Sequence, residues 1–325
     1  MKALVTGGAG FIGSSLCESL VDGGDEVVAF DNFSSGSVSN LSRLKGKRGF
    51  KVTEGDVRSR PEIRRAVSHV DMVYHFAAYP EVRLEKADPE TCFEENVLAT
   101  KALLEAIRGS GVHCLVFASS STVYGDAEVR PTPEDYSPML PISIYGACKL
   151  ASEALIVAYA KTYGFDATIL RFANIVGPRS NHGVVPDFIR KLRAKPNALE
   201  ILGNGSQLKS YLHIDDCVSA VITVASASKG ISIFNIGSGD QIDVREVADI
   251  ICNAMKLRPQ YRFTGGIDGG RGWQGDVMNM LLGTTKLRSL GWKPERSSAE
   301  AVRMTVGQIL GASMAKPKGR EGFTK

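Results

Sequence analysis

The sequence predicts an α/β fold: a doubly wound parallel (Rossmann) sheet with a smaller, discontinuous C-terminal substrate domain. Two observations support the sheet. Short apolar runs alternate with helical patterns, and the first run leads through a glycine-rich turn into an amphipathic helix. A third observation supports the second domain, because the regular alternation ends after Gly177-Pro178.

The predicted strands are almost continuously apolar, which is typical of parallel strands that are buried on both faces. We place them at residues 2–7, 26–31, 50–56, 72–78, 113–120 and 167–174, with residues 232–239 returning to the same sheet. Helical patterns, such as those at 13–24 and 96–111, separate the strands. This alternation predicts helices on both faces of the sheet.

The domain organisation follows from where the alternation stops. The first domain, which carries the glycine-rich turn, is predicted to comprise residues 1–175, with returning segments near 210–240. The substrate domain comprises 176–209 and 241–310, where a helical pattern at 184–195 is followed by short strand-like pieces and a glycine-rich stretch. Residues 311–325 have little apolar content and are predicted to form a mobile tail.

Composition excludes several classes of protein. The chain has 325 residues, 43% of them hydrophobic, and a net charge of +4. This mild excess fits small anionic ligands but lacks the concentrated basic surface of a nucleic-acid-binding protein. No apolar run approaches the roughly 20 residues that cross a bilayer. The apolar start is interrupted by Thr6 and glycines, so we expect neither a membrane span nor a signal peptide.

Cysteine and histidine usage points to a reducing compartment and to no metal site. The six cysteines are scattered without CxxC pairs, and several lie in apolar segments. We therefore expect buried free thiols and a cytoplasmic protein. The five histidines show no HExxH or similar spacing, which predicts no metal ligands.

The glycine-rich start predicts a dinucleotide site. Gly7, Gly10 and Gly13 lie between a strand and a helix, where glycines let the backbone approach a pyrophosphate at the helix N-terminus. Asp31 ends the second strand, where a carboxylate binds the 2′-hydroxyl of an adenosine ribose and repels a 2′-phosphate. The predicted cofactor is therefore NAD rather than NADP.

Other groups at strand ends fall on the same side of the sheet. Asp56 ends the third predicted strand and could bind the adenine amine. Phe76-Ala77-Ala78 ends the fourth, where small residues let a cofactor pass closely. Asn96 opens a predicted helix, either as a cofactor contact or simply as its N-cap.

Tyr145 and Lys149 predict the chemistry. They are four residues apart on a predicted helix and therefore share one face. An ammonium beside a phenol, together with a cationic nicotinamide, is expected to lower the tyrosine pKa from about 10 toward neutrality. Such a tyrosine can take a proton from an alcohol or a sugar hydroxyl. Ser120, at the end of a strand, would hydrogen-bond the same oxygen.

Five segments carry a resemblance to a known family: TGGAGFIG (6–13), HFAA (75–78), SSSTVYG (119–125), YGACK (145–149) and RFANIVGPR (171–179). In this order they resemble the extended short-chain dehydrogenase/reductases, and within that family the UDP-glucose 4-epimerases, especially archaeal forms. The likeness spans residues 1 to about 310. It implies that Ser120 is catalytic, that Tyr145 is the acid/base and that Lys149 binds the nicotinamide ribose.

The resemblance also implies a set of NAD contacts. They are Phe11, Ile12, Asp31, Asn32, Ser34, Ser35, Gly36, Asp56, Val57, Phe76, Ala77, Asn96 and Lys149.

The residues before Val123 bear on the type of reaction. In related sugar-nucleotide dehydratases an Asp-Glu pair stands at this place, and related decarboxylases carry a glutamate there. This chain has Ser121 and Thr122, which do not ionise. The resemblance therefore implies oxidation at C4 followed by return of the hydride, which is epimerisation of a UDP-sugar.

The substrate contacts are also implied by the resemblance. Asn174 matches a nucleotide-binding asparagine, and Lys209 stands where an arginine is more usual. Arg271 lies two residues earlier than the common spacing to Asp276, with Trp273 in between. Met280, four residues after Asp276, is expected to line the sugar pocket. A tyrosine there is associated with simple hexoses, and a smaller residue with N-acetylated ones.

Two alternatives to interconversion of UDP-galactose and UDP-glucose stay open. One is another NAD-dependent epimerase, acting on N-acetylhexosamine, uronic acid or pentose nucleotides. The other is a non-catalytic NAD sensor, although such proteins often lose the tyrosine or lysine that this chain keeps. The resemblance further implies a homodimer, formed through the helices near 92–108 and 148–163.

Overall fold

A computed structural model describes residues 1–83 and 88–314 of the chain. Its strands are β1 (Lys2–Thr6), β2 (Glu26–Asp31), β3 (Phe50–Glu54), β4 (Met72–His75), β5 (Cys114–Ser120), β6 (Asp166–Phe172), β7 (Asn174–Val176), β8 (Ala198–Ile201), β9 (Leu208–Lys209), β10 (Tyr211–His213), β11 (Ile231–Ile236), β12 (Ile242–Asp243), β13 (Gln260–Phe263) and β14 (Asn279–Met280).

The α-helices are α1 (Phe11–Asp22), α2 (Arg60–Val67), α3 (Pro89–Phe93), α4 (Ala99–Ile107), α5 (Ile144–Tyr163), α6 (Val184–Ala194), α7 (Ile214–Ala227), α8 (Val244–Met255), α9 (Thr285–Arg288) and α10 (Ser298–Met314). Two 3₁₀ segments, Val38–Leu44 and Ser121–Tyr124, and a π-helical turn, Glu94–Leu98, complete the helical structure of the described residues.

The central sheet confirms the predicted fold class. Seven strands lie in the order β11-β6-β5-β4-β1-β2-β3, and every neighbouring pair is parallel. The chain winds outward from β1 in one direction and from β4 in the other. The carboxyl ends of β1 and β4 therefore flank the switch point, where ligands bind in sheets of this kind.

Helices cover both faces of this sheet because its strands are apolar on both sides. On one face, Leu16 and Leu20 of α1 and Val221 of α7 belong to one buried apolar cluster. On the other face, Leu103 of α4 and Ile156 of α5 belong to a second cluster. These two layers fix the sheet edge that carries the candidate site.

A third apolar cluster lies among the later elements. It combines α6, α8 and α10 with β8 and includes Phe188, Leu199, Ile251 and Val302. Short sheets accompany it: β10 with β7, β12-β9-β14, and β13 with β8. The separation into two domains at the predicted boundaries remains a prediction.

The strand ends differ from the sequence prediction. The segments predicted at 50–56, 72–78 and 232–239 end at Glu54, His75 and Ile236, and the segment at 167–174 divides into β6 and β7. After β4 the backbone is held by Thr6: the Phe76 amide donates to its carbonyl at 3.0 Å, and the Ala77 amide donates to its hydroxyl at 3.3 Å. The chain leaves the sheet here and borders a cavity instead.

The end of the chain also departs from the prediction. Helix α10 continues to Met314, so the first four residues of the predicted mobile tail are helical. Residues 315–325 lie outside the described residues. Among the residues that are described, no helix is long and apolar enough to cross a membrane.

A buried ion pair joins α5 to the sheet. The Arg171 guanidinium donates from Nη2 to Oε2 of Glu153 at 2.7 Å and from Nε to Oε1 at 3.0 Å. Arg171 is 1% exposed and Glu153 is 4% exposed. The same guanidinium donates through Nη1 to the Tyr124 hydroxyl at 2.9 Å. Since both charges are removed from water, each depends on the other for solvation.

This pair gives a prediction about stability. Arg171→Met leaves the Glu153 carboxylate buried and unpaired, so the free energy of unfolding should fall by about 3–5 kcal/mol. Urea denaturation at neutral pH measures the change. Arg64→Met, at an exposed arginine of α2, is the matched control and should stay within about 0.5 kcal/mol. If Arg171→Met lowered the free energy of unfolding by less than about 1 kcal/mol, Glu153 would not depend on Arg171 for its charge in the folded protein.

Candidate active site

A cavity of about 740 Å³ opens at the carboxyl ends of the central strands. It is bordered on one side by β1, β2, β4 and β5 and on the other by β7, β9 and β14. The following sequence-predicted residues line it: Gly7, Gly10, Phe11, Ile12, Gly13, Asp31, Asn32, Ser34, Ser35, Asp56, Val57, Phe76, Ala77, Ala78, Ser120, Tyr145, Lys149, Asn174, Lys209, Asp276 and Met280. Gly36, Asn96 and Arg271 do not belong to the lining.

The glycine turn leaves room for a diphosphate. Gly7 has a φ of +69°, and a Cβ there would lie 2.6 Å from the Ala77 nitrogen. A Cβ on Gly13 would lie 2.1 Å from the Gly7 carbonyl oxygen, so glycine is required for this close turn. Helix α1 starts at Phe11 without a side-chain cap. Its first-turn amides therefore have no partner within the helix. They are available to donate hydrogen bonds to an anion in the cavity.

Asp31 is held rigidly beside this turn. Its Oδ2 accepts from the Ala9 amide at 2.9 Å and its Oδ1 from the Phe33 amide at 2.8 Å. Each carboxylate oxygen keeps a further lone pair for a ribose hydroxyl. Gly36 lies behind this carboxylate, since a Cβ there would be 3.0 Å from Oδ1. The turn, the helix start and the carboxylate together fit a dinucleotide without a 2′-phosphate.

Asp56 lies farther along the same side of the cavity and is already paired. Arg58 Nη2 donates to its Oδ2 at 2.7 Å, and Asn32 Nδ2 donates to the same oxygen at 3.2 Å. The hydrogen bond from Arg58 is the main reason why the pKa of Asp56 lies below its usual value. Arg58 also lines the cavity, although the sequence analysis did not single it out.

Asn96 does not open a helix, as the sequence had suggested. It lies inside the π-helical turn that connects α3 to α4, so the N-cap interpretation is wrong. Its Nδ2 donates to the Cys92 carbonyl at 2.8 Å and to the Tyr79 carbonyl at 3.2 Å. The side chain therefore fixes the loop after β4. Its use as a cofactor contact remains a prediction.

The strand β5 and the helix α5 bring Ser120, Tyr145 and Lys149 to one cavity. Ser143 caps α5 by accepting from the Gly146 amide at 3.1 Å, which places Tyr145 in the first turn and Lys149 one turn later. Lys149 Nζ donates to the Ala118 carbonyl at 2.9 Å and lies 5.7 Å from the centre of the Tyr145 ring. Ser120 Oγ, at the end of β5, accepts from the Thr122 hydroxyl at 3.0 Å.

The pKa values in this group differ from the sequence expectation. Burial raises the pKa of Tyr145 above its usual value, and burial lowers the pKa of Lys149 to about 8. The expectation that Tyr145 is drawn toward neutrality by Lys149 is wrong for the protein alone. Desolvation of a phenolate outweighs an ammonium that is itself buried. A further positive charge in the cavity would favour the phenolate.

The end of the cavity at β7, β9 and β14, here called the substrate end, contains four of the residues that were predicted to bind the substrate. Asn174 Nδ2 donates to the Ser210 carbonyl at 3.1 Å. Lys209 Nζ forms an ion pair with Oδ1 of Asp276, which is 2% exposed. Met280 packs in an apolar cluster with Val123, Tyr124, Ala127, Ala173 and Leu282. It therefore both belongs to the local core and borders the cavity.

Arg271 contacts this group, because its Nη1 donates to the Asp276 carbonyl at 2.5 Å, but it does not line the cavity. Its guanidinium donates to both carboxylate oxygens of Asp126, from Nη2 at 2.7 Å and from Nη1 at 3.1 Å. Two residues that the sequence analysis did not assign, Arg83 and Trp273, line the cavity instead. The unusual Arg-Gly-Trp-Gln-Gly-Asp spacing was the signal for Trp273, whereas Arg83 lies in a loop without a recognised motif.

The sheet and the residues at its switch point define an α/β enzyme of the extended short-chain dehydrogenase/reductase class. Within this class, the family model for the NAD dependent epimerase/dehydratase family matches residues 3–237. The chain belongs to this family, which also accounts for NAD as the cofactor that the glycine turn and Asp31 predict.

Individual relatives cover nearly the whole chain. A protein of the archaeon Methanocaldococcus jannaschii is 32% identical over 308 residues, which are 93% of this chain and 96% of that protein. The solved structure of a UDP-galactose 4-epimerase is 43% identical, covers 97% of this chain and 100% of its own, and superimposes with a TM-score of 0.85. The UDP-glucose 4-epimerase of Thermus thermophilus, solved with NAD, is 33% identical, covers 96% and 100%, and has a TM-score of 0.84.

The cofactor site gives a prediction about nucleotide preference. Protein depleted of cofactor should bind NAD more tightly than NADP by about tenfold or more, because Asp31 repels a 2′-phosphate. Isothermal titration measures both affinities. Asp31→Ser should narrow the difference between the affinities for NAD and NADP. Asp22→Ser, at an exposed aspartate of the same helix–strand unit, is the control and should leave this difference unchanged. Equal affinities of the unaltered protein would contradict this role of Asp31.

Proposed function

We propose that the protein is an NAD-dependent epimerase that interconverts UDP-galactose and UDP-glucose through a transient 4-keto sugar. The observation that carries the proposal is the combination of side chains around Ser120. Tyr145 and Lys149 border the same cavity, and Ser121 and Thr122 stand beside Ser120 where related dehydratases carry acids. The Thr122 hydroxyl donates to Ser120 at 3.0 Å and does not ionise.

Each residue has a role in the proposed reaction. Tyr145 accepts the proton of the sugar 4-hydroxyl, and Ser120 hydrogen-bonds the same oxygen. Lys149, fixed by the Ala118 carbonyl, stabilises the phenolate and holds the nicotinamide ribose. When bound, NAD supplies the hydride acceptor and then the hydride donor, so no net oxidation results. Tyr145 finally returns the proton to the oxygen of the inverted carbon.

Inversion at C4 requires that the nucleotide portion of the substrate is bound tightly and the sugar portion loosely. Asn174, Lys209 and Asp276 lie at the substrate end, where polar and charged groups suit the nucleotide portion. The sugar portion meets small or flexible side chains such as Ala173 and Met280. A tightly anchored nucleotide and a loosely held sugar let the keto sugar turn its opposite face before reduction. This arrangement also suits epimerases of uronic acid, pentose or N-acetylhexosamine nucleotides, which are the second candidate.

We further propose that the protein forms a homodimer in the cytoplasm. Phe93 of α3, Leu98 of the π-helical turn and Tyr163 of α5 are apolar residues exposed by 48%, 44% and 44%. They belong to the helices that the sequence resemblance assigns to the dimer contact. The six cysteines are all unpaired and buried, which suits a reducing compartment.

The function is tested by incubating the protein with UDP-galactose and following UDP-glucose by chromatography. Tyr145→Phe removes the proton acceptor but keeps the ring, so turnover should fall by about 10²–10⁴-fold. Tyr261→Phe, outside the cavity lining, is the matched control. Near-normal turnover of Tyr145→Phe would exclude it as the base.

The same assay separates the two reactions that the family name covers. A 4-keto-6-deoxy product from UDP- or dTDP-glucose, detected by its alkaline absorbance in amounts matching turnover, would make the protein a dehydratase. With Ser121 and Thr122 in place of acids, no such product should accumulate.

Met280 gives a prediction about the size of the sugar. Methionine is unbranched and flexible, so it can move aside for an N-acetyl group where a tyrosine ring cannot. UDP-N-acetylgalactosamine should therefore be converted measurably, but less well than UDP-galactose. Met280→Tyr should suppress the N-acetylated substrate and spare the plain hexose, as measured by kcat/KM for each. Equal slowing of both would show that Met280 serves only the core.

A further inference from the structure

Among the described residues that line the cavity, Arg83 is the one arginine without a carboxylate partner. Arg83, in the loop after β4, lines the cavity, and its guanidinium has no carboxylate within 4 Å among the described residues. Glu81 accepts from the Arg83 backbone amide at 2.9 Å, and no ion pair joins its carboxylate to the Arg83 guanidinium. The other lysines and arginines of the lining are engaged: Arg58 by Asp56, Lys149 by the Ala118 carbonyl, Arg190 by Asp187 and Lys209 by Asp276.

The Arg83 guanidinium rests on the indole of Trp273. Its central carbon lies 4.8 Å from the ring centre, and Lys209 Nζ lies 5.2 Å from the same ring. Stacking on an aromatic ring orients the plane of a guanidinium and leaves its N–H groups at the edge available. Arg83 and Lys209 thus meet at one indole, at the end of the cavity that holds Asn174 and Asp276.

Trp273 itself has an unused donor. Its Nε1–H is buried and has no hydrogen-bond partner in the part of the chain that the structure describes. Buried N–H groups in folded proteins are normally paired, so the indole of this cavity-lining residue has a donor left for a ligand acceptor. This observation is independent of the charge of Arg83.

The arginine that the sequence predicts at this position is already engaged, by the Asp276 carbonyl and by Asp126. Arg271, which the sequence nominated for the substrate, is held by Asp126 and is outside the lining. Lys209 shares its charge with the buried Asp276 carboxylate. In the part of the chain that the structure describes, a diphosphate at this end of the cavity would therefore meet Arg83 as the guanidinium without a carboxylate partner.

We propose that Arg83, oriented by Trp273, binds the diphosphate of the nucleotide-sugar substrate. The inference rests on the proposed function and adds a residue that the resemblance does not supply. A planar guanidinium offers two parallel N–H groups to phosphate oxygens, which a lysine such as Lys209 does not. Arg83 belongs to the loop after β4 and Trp273 to the segment before β14, so the bound diphosphate would bridge both sides of the cavity.

The test compares UDP and uridine binding by isothermal titration of the full-length, NAD-loaded protein. Arg83→Gln keeps a polar but shorter side chain and removes the charge. Affinity for UDP should fall by about 10- to 100-fold, the cost of losing hydrogen bonds to a charged group. Uridine has no phosphate, so its affinity for the Arg83→Gln variant should equal its affinity for the unaltered protein. Arg64→Gln, at an exposed arginine outside the cavity, is the matched control.

Fluorescence gives a second readout, since the chain has only two tryptophans. UDP should change the emission of the unaltered protein, and Trp273→Phe should abolish this change while the buried Trp292 still emits. Arg83→Gln should require a correspondingly higher UDP concentration for the same change.

Several outcomes would overturn the inference. UDP affinity within twofold of normal in Arg83→Gln, or an equal loss for uridine, would show that Arg83 does not contact the diphosphate. Weaker binding of UDP-glucuronate alone would assign Arg83 to a sugar carboxylate instead. A large loss of UDP affinity in Arg271→Gln and none in Arg83→Gln would reverse the two roles. Failure of the unaltered protein to bind UDP at all would refute the proposed function together with this inference.

Discussion

The buried pair of Glu153 and Arg171 holds Ser120, Tyr145 and Lys149 in register. Glu153 lies one turn beyond Lys149 on α5, and Ser119, which precedes Ser120 on β5, donates to its carboxylate. One carboxylate therefore connects the helix that carries the tyrosine and lysine to the strand that carries the serine. Because an unpaired buried charge is costly, α5 and β5 have little freedom to slide past each other.

The same network extends to the edge of the sheet. Tyr124, which accepts from Arg171, donates to Oδ1 of Asn235 on β11 at 2.7 Å. Nδ2 of Asn235 in turn donates to the carbonyls of Thr132 and Gly283 at 2.9 and 3.0 Å. The late part of the chain, which contributes Met280 to the cavity, is thereby tied to the strand that contributes Ser120. A rigid frame of this kind is what pre-organised catalytic groups require.

Sequence patterns predicted the sheet and the glycine turn at its edge because both depend on local chemistry. Apolar runs and a strand–glycine–helix unit are written in contiguous residues, so Gly7, Gly13, Asp31 and Lys149 could be placed by spacing alone. Failures arose where tertiary contacts decide. Arg271 donates hydrogen bonds to Asp126, which is distant in sequence. Burial, rather than a neighbouring charge, raises the pKa of Tyr145. Arg83 was missed because its partner, Trp273, lies far along the chain.

The winding of the sheet also dictates an order of assembly during translation. The strands β1 to β6, the glycine turn and the serine, tyrosine and lysine all precede residue 173, whereas α7 and β11 come later. Part of one face of the sheet and the outer edge of β6 therefore stay uncovered on the ribosome, because α7 shields that face together with α1 and β11 pairs with that edge. A nascent chain of this length exposes the apolar surface and unpaired strand edge that promote aggregation and recruit chaperones. This exposed surface can be fully covered only after Ile236, the last residue of the seven-stranded sheet, has been synthesised.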